Sequence, residues 1–209
     1  MFKKLRNKIL LWFMETKLYN YLVIQVVPYI RFSLYYTSFK GWKYHQGYAL
    51  LRPGDIILTQ DKKKLTTLII GGEYSHAALC VSKNGIFEVA EMTHTHYTKS
   101  CFFDICHEAD KVAILRCYDW DQEYITKVIE KCNTFEDALY DNQFKIGIKT
   151  LYCSELVYQA DFERRLIVNL EDLAGLGREY ISPFGLYQAK NVDIIWTASA
   201  AKKPEIIDK

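Results

Sequence analysis

The chain has 209 residues, half of them hydrophobic, which predicts one globular domain with a sizeable core and a single active site. Its 27 Lys and Arg nearly balance 25 Asp and Glu, so the net charge of +2 gives no general reason to expect a nucleic-acid partner. Aromatic residues make up 15% of the chain, which argues against extensive disorder and predicts large packed or ligand-contacting surfaces.

Residues 1–48 read as a helical, basic and aromatic N-terminal extension. The apolar run at residues 9–14 follows four basic residues and so imitates a signal peptide, but Glu15 and Lys17 end it early. The next apolar run, residues 21–36, contains polar residues and a proline, which make it a poor membrane span. Two interpretations stay open: the segment packs on the domain's own core, or it lies on a membrane surface as an amphipathic helix. On the second, residues 1–48 are expected to be dispensable for chemistry.

The residue pattern of the sequence changes after this extension. Residues 52–55 predict a turn and residues 56–59 a short buried strand. We therefore predict a catalytic domain over residues 49–201, followed by a polar tail at 202–209 that is typical of a frayed terminus.

A β-hairpin is predicted from two apolar segments, residues 76–82 and 85–91. Lys83 and Asn84 separate them, and Asn84-Gly85 is the pair that a two-residue type I′ turn prefers. Such a turn fixes which residues face each other across the two strands.

The register of this hairpin distinguishes two acidic residues. Counting back from the turn places Ala78 opposite Glu91, and side chains two apart on a strand share a face, so Glu91 lies on the side of His76. Glu88 faces Val81 on the other side. Glu91 is therefore the predicted partner of the histidine, with Glu88 in reserve if a bulge shifts the register.

Further along, residues 111–117 predict a strand that leads into a helix. Asp119 and Gln122 have capping-box spacing, so we expect the helix to start there, and its apolar stripe makes Cys132 a core residue. After a loop that contains Tyr140, residues 152–160 predict a second helix with Cys153 in its first turn.

The chain has six cysteines, mostly within apolar runs, so reduced thiols are expected rather than disulfides. Cys153 differs from the others because a helix N-terminus lowers the pKa of a thiol and favours the nucleophilic thiolate. A catalytic thiol also needs a histidine to hold the proton and a polar group to orient that histidine. His76 is the predicted base and Glu91 the predicted orienting residue.

A metal site is the weaker alternative. His94 and His96 share a strand face and could form a ligand pair, but His94 points away from His76 and nothing obvious completes the set. We therefore predict no metal and no cofactor.

The motifs in this order resemble the permuted NlpC/P60 papain-like enzymes of the YiiX and YebB type. The resemblance covers about residues 51–187 and rests on six elements. They are Arg-Pro-Gly-Asp-Ile-Ile at 52–57, Ser-His at 75–76 opening a strand, a Glu at the end of the next strand, Tyr140-Asp141 with Phe144, Tyr-Cys-Ser-Glu-Leu-Val at 152–157, and Ile-Ser-Pro at 181–183.

This resemblance implies an α+β, circularly permuted papain-like fold, with an antiparallel sheet packed against helices. It also implies a cysteine-dependent amidase, peptidase or lipid acyl hydrolase or acyltransferase, in which Cys153, His76 and Glu91 act together and Asp55 is structural. Tyr140 is a candidate oxyanion donor.

The expected partner is a peptide, amide or lipid-ester substrate. No nucleic-acid partner is expected. The expected location is the cytoplasm, with peripheral membrane contact through residues 1–48 as an alternative. The rival function is a non-catalytic membrane- or partner-binding module on the same fold.

Overall fold

The computed structural model describes residues 2–27, 30, 37–38, 41–62, 72–86, 88–107 and 109–202. The proline at position 28, expected to break the N-terminal helices, and nearly all of the predicted tail lie outside these residues. The helices within them are α1 (Phe2–Met14), α2 (Lys17–Gln25), α3 (Gly41–Leu50), α4 (Phe102–His107), α5 (Gln122–Asn133), α6 (Cys153–Ala160) and α7 (Pro183–Tyr187).

Most of the longer strands belong to one sheet. The strands are β1 (Thr37–Ser38), β2 (Ile56–Gln60), β3 (His76–Cys80), β4 (Val89–Met92), β5 (Tyr97–Ser100), β6 (Lys111–Cys117), β7 (Leu139–Tyr140), β8 (Thr150–Leu151), β9 (Glu171–Asp172), β10 (Glu179–Tyr180), β11 (Val192–Ser199) and β12 (Ala201–Lys202). Six of them form an antiparallel sheet in the order β11-β6-β2-β3-β4-β5. The predicted α+β class with a large antiparallel sheet is therefore confirmed.

Helices cover both faces of this sheet. Ile56 and Leu58 of β2 belong to a core shared with α5 and α6, whereas Ile57 between them belongs to a second core with α3 and α4. A strand buried on both faces is expected to be apolar throughout, which explains the run Ile-Ile-Leu. Helix α6 packs on β3 and β4, so it brings its first turn to the strand that begins at His76.

The predicted hairpin register is confirmed, but the predicted turn is wrong. Ala78 pairs with Glu91 and Cys80 with Val89, as expected. The strands end at these residues, and neither Asn84 nor Gly85 has the positive φ that a type I′ turn requires. The backbone N–H groups of residues 81 and 82 both donate to the carbonyl of residue 88, which widens the connection.

Helix α5 begins two residues later than its sequence suggested. Asp121, not Asp119, is the N-cap, and its side chain accepts the backbone N–H of Tyr124 at 2.8 Å. Asp119 instead accepts a hydrogen bond from Asn191 at 2.5 Å. As predicted, Cys132 is fully buried in the core.

The N-terminal helices contact the rest of the fold. A Cβ atom on Gly47 would lie 2.9 Å from the ring of Trp196, so this glycine lets α3 approach β11 closely. The predicted domain boundary at 48/49 falls inside α3. Met14 of α1 is buried beside Phe144. Within the part of the chain described, no helix is long and apolar enough to cross a membrane.

Candidate active site

Cys153 is the first residue of α6 and is 2% exposed. The helix starts there because Tyr152 has an extended backbone and the buried carboxylate of Glu155 accepts the backbone N–H groups of Tyr152, at 3.4 Å, and of Gly147, at 2.5 Å. Ser154 anchors the same turn by donating to the carbonyl of Ile181 at 2.7 Å. The thiol therefore lies at a rigid, positively polarised helix end.

His76 is the first residue of β3, and Glu91 is on the neighbouring strand β4. The Nε2 atom of His76 donates to Oε2 of Glu91 at 2.8 Å, and the side chain of Cys153 lies close enough to His76 for each to shift the pKa of the other. The hydroxyl of Ser100 in β5 donates to Oε1 of Glu91. A hydrogen-bonded series of His76, Glu91 and Ser100 thus runs across the end of the sheet, with Cys153 next to His76.

These contacts favour a thiolate and an imidazolium. Burial lowers the pKa of His76, but the hydrogen bonds and charges of Cys153 and Glu91 outweigh it and raise the pKa to about 10. Burial likewise raises the pKa of Cys153, but the hydrogen bond and charge of His76, together with the backbone N–H groups of Ala77 and Ser154, bring it below 9.0. Each group stabilises the charged form of the other.

The other five cysteines behave differently from Cys153. Burial raises the pKa of every one of them, and none has a cation close enough to reverse the effect. The pKa rises to about 12 for Cys80 and Cys132 and to about 11 for Cys117, and it rises also for Cys101 and Cys106. All six are free thiols. Cys153 is therefore distinguished from the rest by its electrostatic environment.

Tyr140 also reaches Cys153. Strands β7 and β8 pair in parallel with Tyr140 beside Leu151, two residues before Cys153. The hydroxyl of Tyr140 lies close enough to the Cys153 side chain to interact with it, and burial and the negative charge of Cys153 raise its pKa well above 10.0. It therefore stays protonated and can act as a hydrogen-bond donor next to the sulfur.

Glu88 lies away from this cluster. It is 5% exposed, accepts a hydrogen bond from the hydroxyl of Tyr48 at 2.9 Å, and accepts the backbone N–H of Phe102 at 3.3 Å. These contacts tie α3 and α4 to the sheet. The structure therefore brings Glu91, and not the reserve residue Glu88, to the ring of His76.

The sequence profile of the permuted papain-like amidases, the YaeF/YiiX or C92 family, matches residues 50–205. The chain belongs to this family. Members of the C92 family are cysteine peptidases or amidases, so the chain is a cysteine hydrolase. The permuted connection accounts for the order in the chain, where the histidine strand precedes the cysteine helix.

A solved structure of similar fold is the metalloprotein YiiX from Escherichia coli O157:H7. It has a TM-score of 0.58 and 18% sequence identity, and the match covers 72% of this chain and 97% of YiiX. No significant match is found among curated proteins. At this identity the likeness to YiiX establishes a common fold for this C92 member.

The YiiX protein of the solved structure is described as a metalloprotein. Among the residues described in this C92 chain, no group of three or more His, Cys, Asp and Glu side chains could hold a metal ion. Nδ1 of His96 lies 2.7 Å from the hydroxyl of Thr95. The pair His94 and His96 is therefore not part of such a group.

Asp55, the acidic residue of the Arg-Pro-Gly-Asp motif, is buried and paired with Arg116. Its two carboxylate oxygens each lie 2.7 Å from the guanidinium, and Oδ2 also accepts the backbone N–H of Arg52 at 2.7 Å. These bonds join the turn before β2 to β6 and do not involve Cys153.

Two contributors to the site had no signal in the sequence. Strand β5 was not predicted, so Ser100 could not be placed against Glu91. Tyr19 of α2 donates to the carbonyl of Asn142 at 2.9 Å, two residues after Tyr140, which brings the N-terminal helices to the edge of the site. Both are contacts between distant segments that local periodicity does not reveal.

Proposed function

We propose that this cysteine hydrolase cleaves amide or ester bonds through a covalent acyl-enzyme, with Cys153 as nucleophile, His76 as acid and base, and Glu91 as the residue that orients His76. The observation that carries the proposal is the placement of Cys153 at the first residue of α6, next to a histidine, His76, that is hydrogen-bonded to Glu91 at 2.8 Å. The direction of the pKa shifts agrees with it, since the pKa of Cys153 is lowered and that of His76 is raised to about 10. The pKa values of buried thiols elsewhere in the chain are raised instead.

The first half of the reaction forms a bond between the Cys153 sulfur and the substrate carbonyl carbon. The carbonyl electrons move to oxygen, and His76 then gives its proton to the leaving amine or alcohol as the bond to that group breaks. In the second half, His76 takes a proton from water, the resulting hydroxide attacks the thioester, and the Cys153 thiolate leaves. Another alcohol or amine in place of water would make the reaction an acyl transfer.

The carbonyl oxygen needs hydrogen-bond donors while it carries negative charge. We assign this role to the backbone N–H at the start of α6 and to the hydroxyl of Tyr140, which lies close to the sulfur to which the carbonyl carbon would be bonded. A neutral phenol is suited to the role because it keeps its proton at working pH.

Glu91 is suited to orient His76 because hydrogen bonds fix the position of its carboxylate. One oxygen accepts from His76 and the other from Ser100, so the carboxylate holds the ring next to Cys153. Its charge also stabilises the imidazolium. In the rival binding-only interpretation, this arrangement would have no chemical task.

The test is the rate at which iodoacetamide labels each cysteine as the pH is varied. We expect Cys153 to react far faster than the other five below pH 8, because they are protonated there. His76→Gln is the matched variant, and it should remove the advantage of Cys153 while leaving the other thiols unchanged. Equal labelling of Cys153 in both proteins would contradict the proposed ion pair.

A further inference from the structure

Helix α1 packs against the domain through one face. Asn7 donates to the carbonyl of Gly175 at 2.6 Å, and Leu11 and Met14 join an apolar cluster with Phe144 and Tyr152. Positions 7, 11 and 14 follow the spacing of a single helical face. This face anchors the helix next to Tyr152, the residue before Cys153.

The opposite face of α1 is also apolar, but it is exposed. Leu5, Ile9 and Trp12 have the same spacing and lie about 200° around the helix from the anchored residues, since each residue turns the helix by about 100°. Trp12 is 68% exposed. Helix α2 adds Leu18 and Tyr21, which are also exposed. A water-facing helix side would ordinarily be polar.

The same helices hold a local excess of positive charge. Residues 2–25 contain five Lys and Arg and one Glu, whereas the whole chain has a net charge of only +2. The single acid, Glu15, lies 3.1 Å from Lys145, so even this charge is paired. Exposed Trp, Leu and Ile flanked by Lys and Arg are the features that bind amphipathic helices to anionic membrane surfaces.

A second exposed apolar segment adjoins these helices. The contacts of Glu15 with Lys145 and of Tyr19 with Asn142 hold α1 and α2 against residues 141–149. In that segment Ile146 and Ile148 are exposed, the latter by 68%. Between these two residues, Gly147 donates its backbone N–H to Glu155 at 2.5 Å, so the segment is tied to the first turn of the helix that begins at Cys153.

We propose that the exposed face of α1 and α2, together with Ile146 and Ile148, forms a docking surface for an anionic lipid bilayer. The anchored face of α1 packs beside the first turn of α6, so the docking surface and the nucleophile are held in one rigid arrangement. Docking presents the site to the bilayer, and the substrate is then a carbonyl compound carried by the membrane. This last statement rests on the proposed function, whereas the docking itself does not.

The experiment uses the full chain with Cys153→Ala, so that binding is measured without turnover. The protein is sedimented with vesicles of phosphatidylcholine and phosphatidylglycerol in equal parts, and with vesicles of phosphatidylcholine alone. We expect binding to the anionic vesicles that weakens as salt is raised. Trp12→Gln should weaken it at least about tenfold, and Lys8→Gln about fivefold.

Matched controls test whether vesicle binding depends on where in the protein the substituted residue lies. Ile86→Gln replaces an apolar residue that is 75% exposed at the far end of the β3–β4 connection, away from His76. Lys190→Gln removes one exposed lysine outside the docking surface. Both should bind as the parent does, and melting temperatures should be equal for all four variants.

Absence of binding to anionic vesicles would overturn the proposal, as would equal losses in Trp12→Gln and Ile86→Gln. Formation of a dimer that Trp12→Gln abolishes, without vesicle binding, would assign the surface to a second copy of the chain and also overturn it. None of these results would affect the proposed function, which is tested separately by the reactivity of Cys153 in solution.

Discussion

His76 and Glu91 lie on adjacent strands and are joined by a hydrogen bond of 2.8 Å, although Glu91 pairs directly with Ala78 and not with His76. The side chain of Cys153 lies next to the same histidine. Glu88, three residues earlier on the chain, is held by Tyr48 and the start of α4. The two carboxylates therefore have different hydrogen-bond partners, and we expect substitutions of the two residues to have different effects.

We expect Glu91→Gln to lower kcat/KM at least about tenfold, because the imidazolium loses its charged partner and its fixed orientation. Glu88→Gln should leave kcat/KM close to that of the parent and lower the free energy of unfolding by roughly 1–3 kcal/mol, since it disturbs a buried hydrogen-bonded carboxylate. Activity and denaturant unfolding are measured on both. The reverse pattern would show that Glu91 is not the residue that orients His76.

The pH dependence should differ between turnover and alkylation. The pKa of Cys153 is lowered, so both rates should reach their plateau below pH 9, the ordinary value for a thiol. The pKa of His76 is raised to about 10, and the imidazolium must supply a proton to the leaving group, so turnover should fall again near pH 10. Alkylation needs only the thiolate and should not fall. A parallel decline of both rates would contradict this division of roles.

The same pKa shifts determine the direction in which stability changes with pH. A raised pKa means that His76 contributes its full stabilisation below about pH 6.5 and loses it as the pH rises through about 10. The lowered pKa of Cys153 has the opposite sign, since its contribution is present above 9.0 and is lost as the pH falls through the folded-state value. In Cys153→Ala the contribution of His76 to the free energy of unfolding should therefore be smaller. Unfolding of this variant and of the parent, measured at several pH values, tests this expectation.

Tyr140→Phe should lower kcat by about 10- to 1,000-fold, with a smaller change in KM, because the lost donor acts on the charged oxygen of the transition state. Tyr118→Phe is the matched control, as this exposed hydroxyl contacts only the carbonyl of Lys190 among the described residues. Equal kcat in Tyr140→Phe and the parent would exclude the phenol from oxyanion binding.

Cys132→Ala and Cys153→Ala should have opposite effects. Cys132 is fully buried in the core, so its removal should cost roughly 1–3 kcal/mol of unfolding free energy and spare kcat. Removal of Cys153 should abolish turnover. Thermal unfolding and activity measured side by side decide the matter, and loss of turnover in a well-folded Cys132→Ala would count against the assignment of the nucleophile.

The contacts of α3 change the expectation that residues 1–48 are dispensable. This helix spans the predicted boundary, and its Tyr44 and Tyr48 pack against Phe102. A chain that begins at residue 41 should therefore be more stable than one that begins at residue 49, by roughly 3 kcal/mol or more. Equal melting temperatures would indicate that α3 contributes little to the fold.

The sequence predicted those parts of the site that depend on local pattern. Counting from the predicted two-residue loop gave the register of Ala78 and Glu91, although the predicted type I′ turn is wrong. The apolar periodicity before residue 160 gave a helix with Cys153 in its first turn. The position of Glu91 relative to His76 followed from this register. These features depend on neighbours in sequence or on one hairpin.

Other parts depend on contacts between distant segments and could not be predicted. Asp119 has the spacing of an N-cap, but its hydrogen bond with Asn191 leaves Asp121 to cap α5. Tyr140 reaches Cys153 through the short parallel pair β7 and β8, which has no periodicity to detect. The anchoring of α1 and α2 beside the site is a tertiary contact of the same kind.

The most direct test of the account is the mass of the enzyme during turnover of an activated ester, followed by identification of the modified peptide. We predict that rapid acid quenching traps an acyl group on Cys153, that the adduct disappears as product forms, and that Cys153→Ala acquires no acyl group at any residue. An acyl group on another side chain that forms and decays at the rate of turnover, or undiminished turnover in Cys153→Ala, would contradict the assignment of Cys153 as the nucleophile.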